Sequence, residues 1–143
     1  MATTDAATPA PHAHIPRIQA EELAELLRES PKRPVVIDVR DPGTTGGFIR
    51  GARSVPRVRF DDREALDALV RELMDESLVV FHCLNCNNRG PTAALIFQNR
   101  LDELVPTDSS RKPVVKILHR GFKVFSEQFG QDEELVDPNP LPL

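Results

Sequence analysis

A strand, a short polar loop and a helix follow one another between residues 77 and 104. This succession constrains the fold more than any other feature of the chain. Residues 77–81 form an apolar run with two valines, which favours a buried strand. Gly90 and Pro91 then open a periodic apolar segment. Proline suits the first position of a helix because its missing amide proton would be unpaired there anyway. The loop between them therefore lies where a buried strand ends and a helix begins.

The remaining elements continue the alternation of strands and helices. Further helices are predicted at 21–28, 62–74 and 122–129, and further strands at 35–40, 52–55 and 114–118. The glycine-rich run at 43–51 is predicted to be a loop. Strands that alternate with helices imply a central parallel sheet with helices on both of its faces. The expected fold class is α/β.

The domain limits follow from composition. Residues 1–16 contain scarcely any large apolar side chain, so we predict a disordered N-terminal tail there. Residues 131–143 are predicted to be a C-terminal tail, Pro-rich and extended from Asp137 onward. One domain is expected at 17–130, since a chain of 143 residues is large enough to bury a core without metal or disulfide support.

Charge and hydropathy exclude several classes of protein. The net charge of −4 argues against general nucleic-acid binding. No apolar run approaches the ~20 residues that span a bilayer, so no membrane partner is expected. The opening residues lack the pattern of a secretion signal, which predicts a reducing compartment, cytoplasmic or nuclear, in which both cysteines are thiols.

The loop itself has a cysteine at one end and an arginine at the other. Cys83 is predicted to be a nucleophile, because a helix start and a nearby cation lower a thiol pKa from its usual value near ~8.5. Arg89 offers a planar fork of donors that matches two oxygens of a phosphate-like group. The two residues therefore predict a cysteine enzyme that acts on an oxyanion, either a small oxyanion or a phosphoester.

Four other residues are assigned supporting roles. Asp38 and Arg40 are expected to form a buried ion pair that braces the loop. His82 is expected either to orient the loop by hydrogen bonding or to be a satisfied core histidine. Cys86 has the Cys-x-x-Cys spacing of redox pairs and is a candidate resolving or protective thiol. No metal site is expected, since zinc usually takes four well-spaced ligands.

Several segments resemble the successive signatures of a rhodanese domain. They are residues 36–41, residues 47–56, the Cys83 loop and residues 118–122. Within that superfamily, His82-Cys83-x5-Arg89-Gly90-Pro91 resembles the branch that contains the cell-division-cycle dual-specificity phosphatases and the yeast-type arsenate reductases. Sulfurtransferases of this fold usually have a loop one residue shorter, and a longer ring of amides has room for a tetrahedral phosphate or arsenate.

The resemblance implies three candidate functions. The first is arsenate reductase, with no bound cofactor and with glutathione and a glutaredoxin, a thiol reductant protein, as electron donors. The second is a tyrosine or dual-specificity phosphatase that forms a phosphocysteine, and the third is a rhodanese-type sulfurtransferase or binding module. In the first two, the oxyanion-binding loop would consist of Leu84, Asn85, Cys86, Asn87, Asn88 and Arg89. Leu84 and Asn88 replace acidic residues of the cell-cycle phosphatases, so the loop contains no carboxylate.

Overall fold

The computed structural model describes residues 15–29, 33–85, 88–105 and 112–142. Its strands, in chain order, are β1 (Arg17–Ile18), β2 (Val35–Asp38), β3 (Phe48–Ile49), β4 (Arg53–Ser54), β5 (Leu78–His82), β6 (Val114–Leu118) and β7 (Val136–Asp137). Five of them form a sheet in the order β1-β6-β5-β2-β4, and every neighbouring pair in it is parallel. The predicted central parallel sheet is confirmed.

Helices cover both faces of this sheet. They are α1 (Ala20–Glu29), α2 (Arg63–Leu73), α3 (Arg89–Leu104) and α4 (Gly121–Phe129), with a 3-10 helix at Arg57–Asp61 before α2. Asp62 caps α2, since its carboxylate accepts from the backbone amides of Glu64 and Ala65 at 3.0 and 3.4 Å. The α/β architecture is therefore confirmed, with helix limits within about two residues of those predicted from periodicity.

Each face of the sheet has its own apolar core. One core joins the sheet to α2 and α3 and is built around Phe81 and Phe97, both fully buried. The other joins it to α1 and α4 and is built around Leu118 and Phe125. Successive residues of a strand point to opposite faces. His82 therefore faces α4 with Val80, whereas Cys83 is part of the core under α3.

The C-terminal segment packs on the domain. Strand β7 pairs in antiparallel fashion with β3, which lies inside the run predicted to be a loop. Leu135, Val136 and Leu141 are buried, and the backbone of Leu141 exchanges hydrogen bonds of 2.9 Å with Gly43 and Thr44. Residues 131–142, predicted to be a tail, thus hold the 43–51 loop in place. The limits 17–130 stay a prediction, and residues 1–14 lie outside the described part of the chain.

No helix in the described part of the chain is long and apolar enough to cross a membrane.

Candidate active site

Cys83 directly follows strand β5, at the carboxyl edge of the parallel sheet. Ligands of such sheets bind beyond this edge. The residue is buried, with 4% of its surface exposed. Its carbonyl oxygen accepts a hydrogen bond of 3.0 Å from the amide of Phe122, and the carbonyl of Leu84 accepts one of 2.9 Å from Lys123. The first turn of α4 therefore holds the start of the loop.

Two glycines permit the close packing around Cys83. A Cβ at Gly90, in the first turn of α3, would lie 3.3 Å from the Cys83 sulfur and 3.1 Å from its amide nitrogen. Gly121 has a φ of +67°, and a Cβ there would lie 2.3 Å from the carbonyl oxygen of Leu84. Only glycine adopts this φ without cost and leaves this space. Helices α3 and α4 thus approach the loop from opposite sides.

The loop borders an open cleft of about 360 Å³. Its described lining consists of Cys83, Leu84, Asn85, Asn88 and Arg89. The structure thus brings together the predicted nucleophile, the predicted oxyanion-binding arginine and three residues of the predicted loop. Cys86 and Asn87 lie outside the described residues, so their predicted parts stay predictions. The cleft combines a sulfur, a guanidinium and two side-chain amides, a set of groups suited to an oxyanion.

A buried ion pair lies beneath the loop. Asp38 and Arg40 are 0% and 2% exposed, and the Arg40 Nη2 atom is 2.8 Å from Asp38 Oδ2. Arg40 Nη2 also donates to the carbonyl of Gly47 at 3.0 Å, and the guanidinium lies over the ring of Phe122 at 4.5 Å. This is the ion pair expected from the sequence. It ties the end of β2 to the 43–51 loop and to α4.

The environment of Asp38 favours its carboxylate form. Burial alone would raise the pKa of Asp38, but the charge interaction with His82 and the hydrogen bonds and charge of Arg40 outweigh burial. The net result is a pKa below the ordinary value of 3.8. Asp38 is therefore a fixed negative charge under the loop at neutral pH.

His82 connects this ion pair to Cys83. Asp38 and His82 are in register on neighbouring strands, which places their side chains side by side on one face of the sheet. The His82 Nδ1 atom lies 3.0 Å from the carbonyl oxygen of Cys83. Because a carbonyl oxygen only accepts, Nδ1 carries the proton in this hydrogen bond. The Nε2 atom lies 3.6 Å from Asp38 Oδ2 and has no hydrogen-bond partner among the described residues, so the ring lies between the carboxylate and the Cys83 backbone and is hydrogen-bonded only to the backbone.

The structure also shows contacts that the sequence analysis missed. The contact of α4 with the loop was not predicted, although a glycine placed between a strand and an apolar helix was its available signal. Three arginines also pair with carboxylates: Arg50 with Asp137, Arg53 with Glu72 and Arg57 with Asp61.

The described residues form no candidate metal site. They contain no group of three or more His, Cys, Asp or Glu side chains that could hold a metal ion. Another cleft, of about 200 Å³, lies between the 3-10 helix and α2, but its lining contains no cysteine, histidine or serine. Among the described clefts, the one at Cys83 is therefore the candidate active site.

Comparison with known proteins places this geometry in a family. Residues 19–128 match the family described as Rhodanese-like domain. The chain is 29% identical to the dual specificity phosphatase ibp1 of Schizosaccharomyces pombe, over 84% of this chain and 94% of that protein. It is 32% identical to arsenate reductase 2.1 of Oryza sativa subsp. japonica, over 73% of this chain and 63% of that protein.

A solved structure is similar to this chain as well. The As-Sb reductase from Leishmania major superposes with a TM-score of 0.68 at 28% identity, over 83% of this chain and 81% of that one. The named relatives are a phosphatase, an arsenate reductase and an As-Sb reductase, which supports an enzyme of the rhodanese-like class. The chain therefore belongs to the rhodanese-like domain family.

Proposed function

We propose that this protein reduces arsenate to arsenite, with Cys83 as the nucleophile and Arg89 as the residue that holds the oxyanion. The observation that carries the proposal is the composition of the Cys83 cleft. It pairs a sulfur with a guanidinium, and its described lining contains no carboxylate. The loop sequence between Cys83 and Arg89 likewise contains neither Asp nor Glu. A phosphoester needs a proton donor for its leaving alcohol, and arsenate does not, because it carries its own protons.

The first step forms a bond between sulfur and arsenic. Arg89 and the loop amides hold arsenate, and the start of α3 next to the sulfur stabilises the thiolate of Cys83. The thiolate attacks arsenic in dihydrogen arsenate, and one oxygen leaves as water with both protons of the substrate. The product is a cysteine-bound arsenic(V) adduct.

The second step transfers two electrons. An external thiol attacks the Cys83 sulfur and forms a mixed disulfide, while the electron pair of the S–As bond stays on arsenic. Arsenic falls from the +5 to the +3 state and leaves as arsenite. A second thiol then reduces the mixed disulfide, so the overall reaction consumes arsenate and two thiols and produces arsenite, a disulfide and water.

The source of the thiols is part of the proposal. The family resemblance points to glutathione, with a glutaredoxin to reduce the mixed disulfide. Cys86 supplies an internal alternative, since its thiol would close a disulfide with Cys83 in place of the first external thiol. In that case one external dithiol or two monothiols would regenerate the enzyme.

The test is arsenite release in the presence of a thiol-regenerating system. Cys83→Ser should abolish release, and Arg89→Lys should raise the KM for arsenate by about tenfold, because lysine keeps the charge and loses the bidentate fork. Arg71→Lys, in the last turn of α2, is the matched control and should change nothing. Full activity of Cys83→Ser would refute the mechanism. The Cys86→Ser variant separates the internal from the external resolving thiol.

Phosphoester hydrolysis is the second candidate. It is favoured by the fission-yeast relative, a dual specificity phosphatase that this chain covers over 94% of its length. In this reaction Cys83 forms a phosphocysteine, Arg89 holds the equatorial oxygens and water releases phosphate. Hydrolysis needs no reductant, whereas arsenate reduction needs two thiols per turnover. Turnover of a small aryl phosphate that is independent of added thiol, with no arsenite from arsenate, would replace the first candidate by the second.

A further inference from the structure

We infer that a second cleft binds the carboxylate of the thiol that reduces the arsenic adduct on Cys83. This cleft, the basic cleft, is lined by Asn85, Arg120, Lys123 and Val124 and has a volume of about 290 Å³. The inference rests on the proposed function, which places the reaction at Cys83. It adds the site and the chemical group by which the reductant is recognised.

The basic cleft opens beside the Cys83 cleft. Asn85 lines both of them. The first turn of α4, which carries Lys123, is fixed to the loop by the hydrogen bonds from the amides of Phe122 and Lys123 to the carbonyls of Cys83 and Leu84. The backbone that carries the cations of the basic cleft is therefore fixed relative to the Cys83 backbone.

The charge of the basic cleft is not neutralised within the described part of the chain. Arg120 and Lys123 are both exposed, and in the described residues neither forms an ion pair with a carboxylate. Other surface arginines of this protein do, as Arg53 with Glu72 shows. Two cations and the side-chain amide of Asn85 are donors for the oxygens of a carboxylate or phosphate.

The backbone of Arg120 indicates that this cation has a function. Its φ is +62°, and among the described residues it is the one residue other than glycine with a positive φ. A side chain with a Cβ is disfavoured in this conformation. Such conformations cluster at functional sites, where the surrounding structure maintains them. A glycine at this position would relieve the backbone and remove the guanidinium, so the arginine stands here against its local backbone preference.

The chemistry of the reaction identifies the ligand. Arsenate has a single anionic centre, and the proposed mechanism holds that centre between Cys83 and Arg89. A second anionic group at the basic cleft must then belong to the other reactant, which is the thiol. A carboxylate bound at Arg120 and Lys123 would direct the sulfur of the same molecule to the Cys83 sulfur, where the S–S bond forms as the S–As electron pair goes to arsenic.

The first experiment compares a charged and a neutral thiol as reductants. Arsenite release is measured with 3-mercaptopropionate and with 2-mercaptoethanol for the native protein, Arg120→Gly and Lys123→Ala. Each variant should raise the KM for 3-mercaptopropionate by about 3- to 10-fold, the range for loss of one partly exposed charged contact. The KM values for 2-mercaptoethanol and for arsenate should not change.

The variants are chosen so that misfolding does not produce the expected result. Arg120→Gly suits the φ of +62°, so it should not lower the free energy of unfolding. Arg71→Ala is the charge-matched control, because Arg71 lies in the last turn of α2, ahead of β5 and at the opposite edge of the sheet from Cys83. An equal change for both thiols, or no change for either, would overturn the inference while arsenite release still supports the proposed function.

A second experiment tests the basic cleft without arsenate. In a Cys86→Ser background, the rate at which Cys83 reacts with the dianionic 5,5′-dithiobis(2-nitrobenzoate) is compared with its rate with neutral 4,4′-dithiodipyridine. Arg120→Gly should slow the first reaction by about 3- to 10-fold and leave the second unchanged. That result without any arsenite release would support the basic cleft and reject the proposed function. If Arg120→Gly leaves the rate with 5,5′-dithiobis(2-nitrobenzoate) unchanged, or slows both reactions equally, the basic cleft is rejected.

Discussion

Replacement of Gly121 by alanine tests how strongly helix α4 holds the Cys83 loop. At Gly121 the φ is +67°, and an added Cβ would lie 2.3 Å from the Leu84 oxygen and 2.8 Å from the Cys83 oxygen. Gly43 offers a matched control, because its φ is +84° and a Cβ there would meet nothing within 4 Å. Both substitutions force alanine into a left-handed backbone, and only one also forces it against the loop.

The close approach at Gly121 determines how much the two variants should differ in their free energy of unfolding. The left-handed conformation costs either variant about 1–2 kcal/mol. Gly121→Ala must in addition move α4 away from the loop, which strains or breaks the two hydrogen bonds that Cys83 and Leu84 accept from it. Overpacking of this kind costs about 1–3 kcal/mol more. Gly121→Ala should therefore be less stable than Gly43→Ala by about 1–3 kcal/mol.

The assay is urea unfolding followed by far-ultraviolet circular dichroism, since the chain has no Trp and no Tyr to report by fluorescence. Turnover is measured on the same samples at a temperature at which both variants remain folded. Gly121→Ala should lose most of its turnover because the carbonyls next to the nucleophile move, and Gly43→Ala should keep its turnover. Equal losses of stability with equal turnover would refute the reasoning that the close approach at Gly121 positions Cys83.

Three further predictions concern the support of the site. Asp38→Asn should lower the free energy of unfolding by about 3–5 kcal/mol at pH 7, because Arg40 stays buried without its carboxylate. Since the pKa of Asp38 lies below 3.8, this carboxylate stabilises the fold above about pH 4, and the advantage of the native protein should shrink as the pH falls further. Urea unfolding at pH 7 and at pH 3 would show this difference. Gly90→Ala should lower turnover, because its Cβ would press on the Cys83 sulfur at 3.3 Å. The free energy of unfolding should change by less than about 1 kcal/mol. Unchanged turnover would contradict the idea that Gly90 leaves space for the sulfur. Leu135→Ala should lower the free energy of unfolding by about 2–5 kcal/mol, because Leu135 is 1% exposed. Leu26→Ala, on the surface of α1, is its control and should cost less than about 1 kcal/mol. If Leu135→Ala costs as little as Leu26→Ala in thermal or urea unfolding, the C-terminal segment is not part of the cooperative unit.

The parts of the fold that the sequence predicts are those with long apolar patterns. Strands β2, β5 and β6 and all four α-helices were expected near their observed limits, because each is at least four residues long and shows an apolar pattern over that length. Strands β1, β3 and β7 were not expected, since two residues are too few to show a period; β4 is equally short but lies within the strand predicted at 52–55. Their pairing depends on residues distant in the chain, which a local pattern does not report.

At the candidate site, too, the features that depend on neighbouring residues were predicted and the contacts between distant segments were not. The strand, loop and helix around Cys83 are consecutive, so their order alone predicted that Cys83 and Arg89 would share a cleft. The Asp38–Arg40 pair was also local, two residues apart on one strand end. The contact of α4 with the Cys83 loop was not predicted, because it joins Gly121 to Leu84 across 37 positions of the numbering and its one local signal is the glycine before α4. Nor does any local pattern show that Arg120 adopts a positive φ.

The pairing of β3 with β7 has a consequence for the order in which the protein matures on the ribosome. The carbonyl of Gly47, which Arg40 uses as an acceptor, belongs to a loop that residues 135–141 hold in place. Those residues are synthesised about fifty positions after the nucleophile. A nascent chain that has already formed the parallel sheet therefore still lacks one support of its reactive centre. The thiol should acquire its final surroundings only when residues 135–141 have emerged from the ribosome.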